Sequence, residues 1–228
     1  MKGFDRITES SLTTERLIVN TESYKMISSE SNMSIQDASE FIAEEFEKAH
    51  EDLEYNLLLS EVFGRSESEI SIDFKMNDRL SSILEKFKDE KWQSLDDDEK
   101  ITIIKEFTNK LGIALGLDSI PSIEISDESK VQGSYSPDTN TIVISSKDID
   151  NPYEIVDTIP HELRHAYQHM RAEMMDTYED VLYRVNIDNY INPKQLIDGS
   201  WLFFTDYYDQ YVEVDARAFA RIFTEALK

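Results

Sequence analysis

The sequence contains no cysteine. Disulfides are therefore excluded, and so is any metal site built on thiolates. Positive charge is also scarce. Only 23 Lys and Arg stand against 47 Asp and Glu, a formal net charge of −24. A phosphate backbone or an anionic membrane surface would be repelled, which argues against nucleic-acid and membrane partners. The same acidity suits a basic protein partner or a basic substrate, although solubility alone accounts for many acidic chains. No stretch approaches the ~18 apolar residues of a membrane span. Met1–Arg6 has no apolar run behind it, so no signal peptide is expected. The expectation is a cytoplasmic protein, with export lacking an N-terminal mark as the other route. No internal repeat is visible. Histidine is rare, with four in 228 residues.

Hydrophobic residues make up 40% of the chain and aromatics 11%, enough for a packed core. The length allows one generous domain, or one domain with an appendage. Residues 1–33 are rich in Ser, Thr and Glu and read as a loosely ordered arm, with Arg16–Asn20 its one strand-like fragment. From Ser34 to about Phe63 apolar residues recur at three- and four-residue steps, which predicts a helix carrying His50. Glu69 to Met76 alternates, with Ile70, Ile72, Phe74 and Met76 on one side, and predicts a half-buried strand. Asn77 is placed to cap a helix reaching about Lys91. Ser94 opens a core helix with Asp96, Asp97 and Asp98 at its N-terminus, and Gly116 stops it. Ser122–Ser126 and Thr141–Ser145 are strand-like, residues 133–140 are turn-rich, and pairing of Gly133–Tyr135 with Asn140–Ile144 suggests a hairpin near a sheet edge. Asn151, Pro152 and Glu154 start a helix expected to run to about Met175, kinked at Pro160. Residues 176–203 suggest short helices packed over whatever that helix carries. A last helix is expected from about Tyr207 to Leu227.

Three of the four histidines lie within nine positions, at 161, 165 and 169. His161-Glu162-Leu163-Arg164-His165 is an H-E-x-x-H motif. On a helix His161 and His165 share one face a turn apart, so both rings can reach one ion while Glu162 leans over its open side. Zinc is the expected metal: two imidazoles, a third protein ligand and a water fill its four positions. Glu162 is then the general base that takes the water's proton. His169 is two turns from His161, ~12 Å along the axis, and is read as a rim residue. For the third ligand, Glu213 shares a helix face with small Ala216 and Ala220, which would let that helix approach closely. Asp215 and Glu173 are rival ligands. Tyr135, Tyr167, Tyr207, Tyr208 and Tyr211 are all candidates to stabilise a transition state.

These residues resemble the zincin metallopeptidases, and within them the gluzincins, in which a Glu from a later helix joins the two His. Glu213-Val214-Asp215-Ala216-Arg217-Ala218-Phe219-Ala220 resembles the E-x-x-A-x-x-F-A helix of ImmA/IrrE-type peptidases. His161 to Gln168 is similar to the compact metallopeptidase domains of phage, mobile elements and polymorphic toxins. The resemblance implies an α+β, zincin-like fold. A small, mostly antiparallel sheet would pack on the H-E-x-x-H helix and a C-terminal Glu-bearing helix, behind an N-terminal helical extension. The implied domain spans 67–228, with 1–66 as an appendage. It also implies zinc on His161, His165 and Glu213, with Glu213 preferred over Asp215, and Glu162 as base. One departure stands out: larger gluzincins carry an Asp four residues after the ligand Glu, and here that position is Arg217.

The expected function is zinc-dependent hydrolysis of a protein or peptide substrate. The same domain would also fit a toxin or effector of a mobile element. A second class keeps the fold but not the chemistry, as an interaction module docking a basic partner through its acidic surface.

Overall fold

Short polar side chains set most helix starts between residues 61 and 228. The computed structural model describes residues 48, 51–129, 131–195 and 201–228. The strand-like Arg16–Asn20, His50 and most of the helix predicted from Ser34 lie outside these, while residues 51–62 are helical. The chain divides into two compact units, Met1–Ser60 and Glu61–Lys228.

Helix α1 (Asp78–Leu84) is capped by Asn77, whose side chain accepts from the backbone of Arg79 and Leu80 at 3.0 Å each. It does not continue to Lys91. A 3-10 turn at Glu85–Phe87 and an extended Lys88 intervene before α2 (Asp89–Trp92). In an unbroken helix residues 87 and 92 would point about 140° apart. The break instead lets Phe87 stack on Trp92 at 4.8 Å, and the Trp92 indole donates to the Ile149 carbonyl at 2.9 Å. Helix α3 (Asp97–Leu115) starts two residues later than Ser94 suggested. Asp96 and Glu99 form a reciprocal capping box, while the Ser94 hydroxyl bonds back to Lys91. Gly116, at φ 72°, ends it.

Strands β1 (Ser122–Ser126), β2 (Gly133–Ser136) and β3 (Thr141–Ser145) form a sheet in the order β1-β3-β2. The expected hairpin is β2–β3, with Tyr135 opposite Ile142. The sheet is mixed, however, and not mostly antiparallel. β1 lies on the far side of β3 and runs parallel to it, Ser122 opposite Thr141 and Ser126 opposite Ser145. Strand β2 is therefore an edge. The strand predicted over Glu69–Met76 does not form: Glu67–Glu69 is a 3-10 turn, and the following residues have no strand beside them among the described residues. The alternation survives as burial. Ile72, Phe74 and Met76 pack on the core while Ser71, Asp73 and Lys75 are exposed. Period-two patterning reports which side is wetted and cannot supply a ladder partner.

Helix α4 (Pro152–Met174) is capped by Asn151 and contains Pro160 without interruption. After it come α5 (Tyr178–Asp188), the two-residue pair β4 (Lys194–Gln195) and β5 (Trp201–Leu202), and α6 (Phe204–Tyr208). Helix α7 (Tyr211–Leu227) ends the chain. The predicted single helix from Tyr207 is thus two, parted at Asp209 and Gln210. The buried Gln210 amide bonds both backbone groups of Ile191 and the side chain of Asn186, which holds the corner. Helices α4 and α7 pack against each other more extensively than any other described pair. Ala216 and Ala220 are buried, and every residue from Tyr211 to Ala216 is buried. The core between helices and sheet holds Leu80, Phe87, Trp92, Phe107, Ile142, Ile159, Phe219 and Phe223 among others. The architecture is α+β. No helix among the described residues is long and apolar enough to cross a membrane.

Candidate metal centre

Helical spacing sets His161 and His165 one turn apart on α4, with Nε2 atoms 3.0 Å from each other and rings at 83°. Helix α7 brings in Glu213. Its Oε2 lies 3.4 Å from His161 Nε2, and its Oε1 3.5 Å from His165 Nε2. One donor atom from each of the three residues falls within 4.8 Å of the others, a group able to hold a metal ion. The Glu213 side chain is 2% exposed against 18% and 16% for the histidines, so the centre opens on its imidazole side. Burial alone would raise the Glu213 carboxyl. The imidazoles of His165 and His161 and the Tyr190 hydroxyl outweigh that and hold it at about 2.

Glu162 is buried beside this group. Desolvation pushes its carboxyl up to about 7 and Glu213 adds to the rise, while His165 and the backbone N–H of Tyr135 pull the other way. That N–H belongs to edge strand β2. Gly133 allows the contact: a Cβ there would lie 2.3 Å from Thr158 Cγ2 and 3.4 Å from Glu162 Oε1.

The orientation of His165 follows from its surroundings. Gln168 donates through Nε2 to the Val212 carbonyl at 2.8 Å and to Asp215 Oδ2 at 2.7 Å. Both partners are acceptors, so a flipped amide would set oxygen against oxygen. The Gln168 oxygen therefore faces His165 Nδ1, 2.8 Å away, and must accept from it. A proton therefore sits on Nδ1, and Nε2 is the ring nitrogen turned into the group. Asp215 is anchored in turn by Arg164, through Nε at 2.7 Å and Nη2 at 2.9 Å, with the Tyr183 hydroxyl 3.2 Å from Oδ2.

Asp215 is thus tied into an ion pair, and the exposed Glu173 is not in the donor group. His169 also stays outside, its ring 5.9 Å from Tyr135. Of the five tyrosine candidates, Tyr207 feels the charge of a residue of the group, Glu213. Tyr135 bonds Asn140, Tyr167 lies against Arg164, Tyr208 against Arg217, and Tyr211 stacks on Tyr183. Tyr190, which sequence reasoning left among packing residues, donates to Glu213 Oε1 at 2.5 Å. Burial and the Glu213 charge raise both the Tyr190 and Tyr207 phenols well above the usual range, so both remain donors. Arg217 pairs with Glu67 and stacks on Tyr208.

Residues 85–182 match the model of the Peptidase M76 family. The match covers fewer than half of the residues and contains His161, Glu162 and His165, but ends before Glu213. Over that stretch the chain is similar to a metallopeptidase family. No curated protein and no solved structure matches the chain.

Proposed function

We propose that the chain is a zinc-dependent metallopeptidase, with His161, His165 and Glu213 as zinc ligands and Glu162 as general base. One observation carries this reading: the convergence of His161 Nε2, His165 Nε2 and the Glu213 carboxylate. Four donors at 2.0–2.1 Å from zinc in tetrahedral array would stand about 3.3–3.4 Å apart. Here the imidazole nitrogens stand 3.0 Å apart, with one Glu213 oxygen 3.4 Å from His161 and the other 3.5 Å from His165. With Nδ1 turned to Gln168, His165 presents Nε2 where a cation is wanted. The set of two nitrogens and one oxygen is typical of zinc sites that keep a position open. The similarity of residues 85–182 to a peptidase family supports the choice of reaction.

Zinc held there supplies Lewis acidity toward a scissile carbonyl and an acidified water. Glu162 accepts the proton of the attacking water and passes it to the leaving amine. Its raised carboxyl suits both halves of that transfer. An extended peptide would pair with the outer edge of β2, because β2 ends the sheet and Tyr135 on it touches Glu162. Glu162→Gln tests the assignment. The variant should carry the same zinc as wild type by elemental analysis and lose cleavage of a peptide library. A variant that cleaves at the wild-type rate would overturn the role of Glu162. A wild-type protein purified without zinc and unable to take it up would overturn the metal.

A further inference from the structure

The two oxygens of Glu213 are nearly equivalent toward the imidazoles, Oε2 at 3.4 Å from His161 and Oε1 at 3.5 Å from His165. A carboxylate so placed can ligate a metal through one oxygen or through both. With two imidazoles and a water, one-oxygen ligation makes four ligands and two-oxygen ligation makes five. The difference between the oxygens lies on their other side. Tyr190 donates to Oε1 at 2.5 Å, with Tyr207 beside it. The two rings stand edge to face, 6.2 Å apart. Glu213 is 1% exposed, so little water can replace the Tyr190 hydroxyl at Oε1. Tyr190 follows α5 and Tyr207 lies on α6, so this pair brackets the segment between α5 and α7.

We infer that Tyr190, with Tyr207 beside it, acts as a positioning residue that engages Oε1 and holds Glu213 to one-oxygen ligation, so that two imidazoles, one carboxylate oxygen and a water make a four-coordinate site. This rests on the metal-binding reading above. The Tyr190 hydroxyl proton engages a lone pair of Oε1 and so weakens that oxygen as a second metal donor. Neither tyrosine touches the metal in this role, and neither is required for it to bind.

Cobalt(II) added to the full-length protein reads the coordination number directly. Its visible absorption is intense in a four-coordinate site and several-fold weaker when a fifth ligand is added. Wild type should bind one cobalt with the intense spectrum. The Tyr190→Phe/Tyr207→Phe variant should still bind one cobalt, with bands several-fold weaker. Identical spectra for the two proteins would overturn the clamp and leave the metal site standing, as would a wild-type spectrum already of the weak kind. Failure of either protein to bind cobalt would overturn the metal reading and the clamp with it. If circular dichroism shows the double variant unfolded, Tyr190→Phe alone decides. A rise in first-shell scatterers by X-ray absorption on its zinc form is expected, and an unchanged shell rejects the clamp.

Discussion

Nδ1 of His165 lies 2.8 Å from the side-chain oxygen of Gln168, and the other end of that amide holds Asp215 at 2.7 Å. A neutral amide thus passes the orientation of a buried ion pair on to an imidazole. Gln168→Met should free the ring to choose its tautomer and lower zinc affinity roughly 10–100-fold. Competition with a chromophoric chelator measures this. Affinity equal to wild type would leave Gln168 with a packing role only.

Arg164 is the main charge partner of Asp215, a fully buried carboxylate. Arg164→Met keeps the side-chain length and strands that charge. A loss of about 3–5 kcal/mol is expected, read from urea unfolding. A loss below about 1 kcal/mol would mean that Tyr183 and Gln168 satisfy Asp215 without it.

Gly133 sits where β2 presses on α4. Gly133→Ala would drive a methyl into Thr158 Cγ2 and should cost about 1–3 kcal/mol. Thr158→Ser removes that Cγ2, so the double variant should melt closer to wild type than Gly133→Ala does. Additive losses in the two variants would refute the clash.

Asp180 carries a pH dependence. Burial raises its carboxyl, but hydrogen bonds from Arg171 and Thr177 outweigh that and leave it below the usual value. A depressed folded pKa gives stability present above the unfolded value near ~3.9 and lost as pH falls through the folded one. Asp180→Asn should therefore be less stable than wild type at neutral pH, with the gap closing below about pH 4. Denaturation midpoints across that range test this. A gap that persists in acid would assign the effect to the cap at Thr177 instead.

What was legible in the chain was local. Asn77, Asn151 and Gly116 announced their helix ends, because a cap is a contact of two to four residues. The facing of His161 and His165 follows from helical spacing alone. Gln168, three residues after His165, was readable on the same ground. Partners chosen across space were not readable. Nothing near Ile72 says that no strand will lie beside it. Nothing near β1 says that β3, 19 residues on, will run parallel to it. Tyr190 is 23 residues from Glu213, and Arg164 is 51 from Asp215. Asp215 did leave a trace, as a charge inside the apolar run from Tyr211 to Ala216. An acid in such a run needs a cation somewhere.

That run has a consequence for how the chain can change. Glu213 and Asp215 are two positions apart on α7, yet one faces the imidazoles and the other Arg164. With Tyr211 to Ala216 all buried, α7 has no solvent side there into which an error could turn. A single residue inserted or deleted between Glu213 and Asp215 would turn one against the other by about 100°. Glu213 and Asp215 could not then both keep their partners. Length variation among relatives should therefore avoid this window, even where the residue types within it vary.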